Sequence, residues 1–110
     1  KLHMHIYHVV MPEAWDNAVS KPFYQAESLE SEGFIHCSSA DQLDGVIERY
    51  YANAGELVIL SIDPNKLTST LVSEPSTNNE PFPHIYGPIN AEAIIKVETR
   101  RVGNVPQQDQ

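Results

Sequence analysis

The run Leu57-Val58-Ile59-Leu60-Ser61-Ile62 constrains this chain more than any other stretch. Six nearly continuous apolar residues are too few for a typical helix. They leave no polar side to turn to water, so they read as a strand buried on both faces. A strand of that kind must lie inside a sheet, with other strands beside it and layers above and below. At 110 residues the chain is long enough for one such core and one domain.

The neighbours can be found by pattern. His5-Ile6-Tyr7-His8-Val9-Val10 is rich in β-branched and aromatic residues and reads as a strand, with Ile6, His8 and Val10 on one face. Pro12 and Glu13 suit the first turn of a helix over residues 12–20, and Trp15, Ala18 and Val19 fall on its buried side. Residues 23–26 form a short strand. Residues 28–33 resemble one helical turn stopped by Gly33. Phe34-Ile35-His36-Cys37 is then a strand with Ile35 and Cys37 on a core face, and Phe34, His36 and Ser38 on the face of a cleft. The clearest helix spans residues 39–53. Ser39 and Gln42 have capping-box spacing, and Leu43, Val46, Ile47, Tyr50 and Tyr51 form its apolar stripe. Trp15, Tyr50 and Tyr51 are expected in the core.

Beyond residue 62 come a strand at 70–74, a loop at 75–81, and Phe82-Pro83-His84-Ile85-Tyr86-Gly87-Pro88. Its prolines suggest an edge strand or a rigid loop. A last strand lies near residues 93–100. Several strands follow one another without helices between them, so the expected class is α+β with a largely antiparallel sheet. Residues 4–100 form the single domain. Lys1-Leu2-His3-Met4 looks like a cloning scar ahead of a start methionine, and residues 103–110 read as a disordered tail.

Charge and cysteine content exclude several classes. Fifteen acidic against seven basic residues give a net charge of −8, which argues against nucleic-acid and membrane-surface binding. A single Cys excludes an internal disulfide and a cysteine zinc cluster. No apolar run approaches the ~20 residues of a membrane span. A cytoplasmic protein is the expectation. The oligomeric state is open.

His8, His36 and His84 carry the functional expectation. Burying several imidazoles costs stability unless each finds a partner, and a polar cleft supplies partners. The expectation is that neighbouring strands bring the three rings to one wet pocket. They could form a three-histidine metal site with an open position, but no local metal motif accompanies them and no metal is expected. Cys37 shares the core face and reads as an unreactive thiol. His84 and Tyr86, two apart, share a face on which tyrosine could stack on a flat ligand. Glu74 could orient a sugar hydroxyl, hold a histidine, or stand as a solvated strand end.

Ile6-Tyr7-His8, Trp15, Tyr24, Ser28-Leu29, Glu32-Gly33-Phe34-Ile35-His36-Cys37-Ser38 and Phe82-Pro83-His84-Ile85-Tyr86-Gly87-Pro88 together resemble the DUF952 family over about residues 5–99. The resemblance implies an ADP-ribosyltransferase-like fold, a split and mostly antiparallel β-sandwich with two helices and a cleft for NAD. It implies that His8 holds the nicotinamide end or the adenosine ribose, and that His36 and Ser38 serve in the second motif. The third motif usually offers a glutamate. Here it presents His84 and Tyr86 instead, which is more like the histidine-bearing branch that includes RNA 2′-phosphotransferases. Too few basic residues are present for RNA to be the expected substrate. His8, His36 and His84 are thus the expected catalytic residues, and Ser38, Tyr86, Tyr24 and Ser28 the expected ligand contacts. Three functions follow: a transferase or hydrolase handling NAD or ADP-ribose, a non-catalytic module for a small nucleotide-like ligand, and a metal-dependent hydrolase.

Overall fold

A computed structural model describes residues 4–103; the scar read at residues 1–3 and all of the tail read at residues 103–110 except Gly103 lie outside them. The apolar run lies in β4 (Gly55–Ile62), flanked by β1 (Ile6–Val10) and β8 (Ile94–Val102) in the order β1-β4-β8. From Leu57 to Ile62 every residue of β4 is buried, as a strand covered on both sides requires. One face of β4 (Val58, Leu60, Ile62) meets Ile6, Val10, Ile35, Ile85 and Ile89, while the other (Leu57, Ile59) meets Leu43 and Ile47. These two clusters form the layers on either side of the sheet.

A second sheet holds β3 (Ile35–His36), β6 (Pro81–Tyr86) and β5 (Thr70–Pro75) in the order β3-β6-β5. A two-stranded ladder pairs β2 (Phe23–Tyr24) with β7 (Ile89–Asn90). Every ladder is antiparallel. The helices are α1 (Pro12–Ala18), α2 (Glu27–Glu32) and α3 (Ala40–Tyr50), so the molecule is a small α+β fold. It has three helices rather than two, because residues 27–32 complete a helix whose end is set by Gly33 at φ +94. That left-handed position suits glycine, and the Gly33 N–H caps the carbonyls of Ser28 and Leu29. The Gln42 side chain accepts from the Ser39 N–H at 3.0 Å, within the capping box of α3 that this pair was expected to form.

One expectation is corrected here. The Pro-bracketed segment 82–88 is neither an edge nor a loop: its first five residues belong to the middle strand of the second sheet. The Pro83 carbonyl accepts from the Cys37 N–H at 3.0 Å, so Pro83 faces the β3 side. Cys37 stands opposite Pro83 just beyond the last paired residues, His36↔His84, so the missing N–H costs only the return bond of that terminal pair and none to β5.

Beyond their shared core, the two main sheets are joined by one backbone bridge among the described residues. Tyr7 and Ser38 exchange both backbone hydrogen bonds at 2.8 Å, and beyond that pair the strands part.

Candidate functional site

The parting of β1 from β3 builds the site. Cys37 points its backbone polar groups at β6, so His36 and Ser38, on either side of it, point theirs at β1. Ser38 is satisfied by Tyr7. The next carbonyl toward the gap, that of His36, needs a donor. It receives one from a side chain: His8 Nδ1–H donates at 2.7 Å. An imidazole therefore bridges the split where the ladder would have continued. The same alternation along β1 turns the backbone N–H and C=O of Val9 toward the opening.

His8 is then fixed in one form. With Nδ1 donating to a carbonyl, Nε2 is an acceptor, and the Tyr24 hydroxyl donates to it at 2.9 Å. Burial lowers the His8 pKa to about 4, outweighing the upward pull of the His36 carbonyl. The ring is neutral at pH 7. Burial also raises the Tyr24 hydroxyl and the Cys37 thiol above their ordinary values, so both stay protonated.

Around this bridge lies a cavity of about 570 Å3. Its walls come from β1 (Tyr7 to Val10), α2 (Glu27, Ser28, Glu32), the end of β3 (His36 to Ser38), α3 (Val46, Tyr50, with Tyr51 beyond its end) and the loop residues Ser76 and Thr77. Ser28 Oγ donates to the Phe34 carbonyl at 2.8 Å and ties α2 to the strand that follows it. Tyr50 meets Thr77 across the opening, hydroxyl to hydroxyl at 2.8 Å. His36 Nε2 lies 3.1 Å from a Glu32 carboxylate oxygen, and both side chains are about half exposed. No Lys or Arg stands among the wall residues, while Glu27 and Glu32 do.

Five of the seven expected site residues line this cavity: His8, His36, Ser38, Tyr24 and Ser28. His84 and Tyr86 do not. The expectation that three histidines share one pocket is corrected to two. His84 faces His36 directly across β3 and β6, with ring centres 5.3 Å apart, but it lies buried beneath Phe34, whose ring stacks on it at 4.1 Å. Its Nδ1–H donates to Glu74 at 2.8 Å, and the Tyr86 hydroxyl donates to the same carboxylate oxygen. Those two bonds hold the Glu74 carboxyl below its ordinary pKa. Of the three roles open to Glu74, it holds a histidine.

The three-histidine metal site is also corrected. His8 has spent both nitrogens and His84 has spent Nδ1 on Glu74. Among the described residues no group of three or more His, Cys, Asp or Glu is placed to hold a metal ion.

Sequence reasoning missed α3 and the 76–77 loop as walls. Tyr50, expected in the core, is 59 % exposed. It also missed Glu32, for which one signal existed: His36 lies four residues on, in a chain that reverses at Gly33 between them.

Residues 9–97 match the family described as a protein of unknown function, DUF952. The chain belongs to the DUF952 family. Its fold is similar to that of CC0527 from Caulobacter crescentus. The crystal structure of CC0527 superposes with a TM-score of 0.78 at 24 % identity, over 86 % of this chain and 84 % of that one. A double mutant of CC0527 gives 0.77 at 23 % identity over the same shares. Its solution structure gives 0.74 at 24 %, over 86 % of this chain and 82 % of that one. No curated protein matches the chain. Among the described residues no helix is long and apolar enough to cross a membrane.

Proposed function

We propose that this DUF952 protein is a binding module for a small ring-bearing ligand of nucleoside size, uncharged or cationic, held in the cavity beside β1. The wall composition carries this reading. A volume of about 570 Å3 falls within the usual ~300–1,000 Å3 of small-molecule sites. Tyr7, Tyr24, Tyr50 and Tyr51 offer ring surfaces, Ser28, Ser38 and Thr77 offer hydroxyls, and Val9 offers a backbone donor and acceptor. A diphosphate would ask for cations, and the walls supply carboxylates instead. A binding role also fits the neutral, doubly bonded His8 and the protonated Cys37, neither of which is poised to move a proton or attack.

Transfer or hydrolysis with NAD or ADP-ribose is the second reading. It is favoured by the accessible His36–Glu32 pair, which could hold ribose hydroxyls while the nicotinamide bond breaks.

Calorimetric titration with adenosine, nicotinamide riboside, NAD and ADP-ribose separates the two. Binding of either nucleoside, without binding of NAD or ADP-ribose, is the expected result. At a hundred times its Kd such a ligand stabilises the fold by about 2.7 kcal/mol, which a melting curve registers. His36→Ala should weaken that binding with little change in Tm, because the ring is half exposed. Nicotinamide release from NAD would replace this reading with the transferase one, and failure of all four ligands to bind would end both.

A further inference from the structure

β8 is the longest strand in the protein, and its outer edge has no strand partner among the described residues. Long unpaired edges invite pairing with another chain, and proteins blunt them with charge, proline or irregularity. Here the ladder with β4 is regular from Lys96 to Val102 and slips a register at Ile95, which has no partner on β4, so the stretch free to pair outward begins at Lys96, Val97 and Glu98. Ile95 and Val97 are exposed apolar residues, 41 % and 46 % accessible. The charges beside Val97 are of opposite sign, with Lys96 and Glu98 3.4 Å apart on one face.

That arrangement is self-complementary. An antiparallel pair of identical strands related by a twofold axis must set some residue opposite itself. With Val97 on the axis, each Lys96 falls opposite Glu98 of the second copy and Val97 packs on Val97, all within or beside the regular part of the strand. With Lys96 or Glu98 on the axis, like charges meet. With Thr99 on it, Glu98 meets Arg100, which is already paired with Asp44 at 3.2 Å, and the exposed Val97 is set against Arg101. The free edge of the second sheet, β5, has no such register: it carries one charge, Glu74, already bound to His84 and Tyr86, and it ends in Pro75. We propose that two copies of this chain associate by antiparallel pairing of β8 with β8 about Val97, extending the β1-β4-β8 sheet to six strands.

Opposite-charge and β-branched cross-strand pairs each add about 0.2–1 kcal/mol, so a few such pairs with new backbone bonds support a reversible dimer. The −8 charge on each copy opposes approach, but at 0.15 M salt the screening length is about 8 Å and most of that charge is damped.

Sedimentation equilibrium across about 5–200 µM protein at 0.15 M salt tests this. The parent chain should sediment as a concentration-dependent dimer. Lys96→Glu sets carboxylate against carboxylate at both ends of the pair and should leave a monomer with an unchanged circular dichroism spectrum. Lys96→Glu with Glu98→Lys restores the opposite signs and should restore the dimer. Val97→Cys should form an intermolecular disulfide on mild oxidation. A parent chain that stays monomeric at the top concentration overturns the proposal, as does a double reversal that fails to rescue. Because β8 contributes nothing to the cavity walls, this outcome is independent of whether any ligand binds.

Discussion

Protonating His8 should cost the fold about 3 kcal/mol. The ring is buried against Tyr24, and its Nδ1–H is committed to the His36 carbonyl. The Tyr24 hydroxyl can turn to accept a new N–H, but the positive charge would still sit out of water. That desolvation places the pKa at about 4, against 6.5 ordinarily. Because the folded value lies below the unfolded one, the unfolded chain takes up the proton first as pH falls. Stability from this residue is complete above pH 6.5 and drains away between 6.5 and about 4. At about 1.4 kcal/mol per pH unit the loss comes to about 3 kcal/mol, a large part of the ~5–15 kcal/mol typical of a domain. Urea melts followed by circular dichroism at pH 7, 6, 5 and 4 measure it. His8→Asn keeps an amide to donate to His36 and removes the titration, while other groups such as Glu74 titrate in both proteins and cancel. The parent should lose about 3 kcal/mol more than His8→Asn over that range. Equal losses would show that the bridging imidazole is not held neutral by burial.

Three further outcomes follow from named contacts. Tyr24→Phe leaves the buried Nε2 of His8 without a donor and should cost about 1–3 kcal/mol in chemical denaturation. Cys37, buried with its thiol held protonated, should resist a maleimide in the folded protein and react fully in urea. Gly33→Ala and Gly87→Ala should differ. A methyl at residue 33 meets nothing within 4 Å, so only the left-handed backbone is strained, at about 1–2 kcal/mol. A methyl at residue 87 would run into the Ser69 side chain, which is bonded to the Pro88 carbonyl at 2.6 Å, so its Tm should fall further.

Much of the frame was legible from local pattern. Leu57–Ile62 had no polar side and became the central strand. Ser39 and Gln42 marked the start of α3, and Gly33 the end of α2. What resisted was the distinction between a core and a cavity. Val46 and Tyr50 fall in the same apolar stripe as Leu43 and Ile47; the latter pair is buried, while the former lines the opening. Periodicity records which way a side chain points, not whether the space there is filled. The histidines divided in the same manner. Alternation set His36 and His84 on faces suited to meeting, and they do meet. Only the pairing of strands distant in sequence decides that Phe34 covers one ring and leaves the other open. The central position of β6 was hidden because its prolines count against an inner strand unless the neighbour is known to stop short.

The cavity walls run from Tyr7 to Phe82 and end there. The last strands, β7 and β8, brace β2 and β4 and supply none of those walls. Under the proposed binding role, changes in β7 and β8 should therefore alter how firmly the receptacle is held together, whereas choice among occupants is set by the wall residues between Tyr7 and Phe82. Two proteins of this shape could diverge in what they admit while keeping the same closing strands, or change their mode of assembly without changing what they admit.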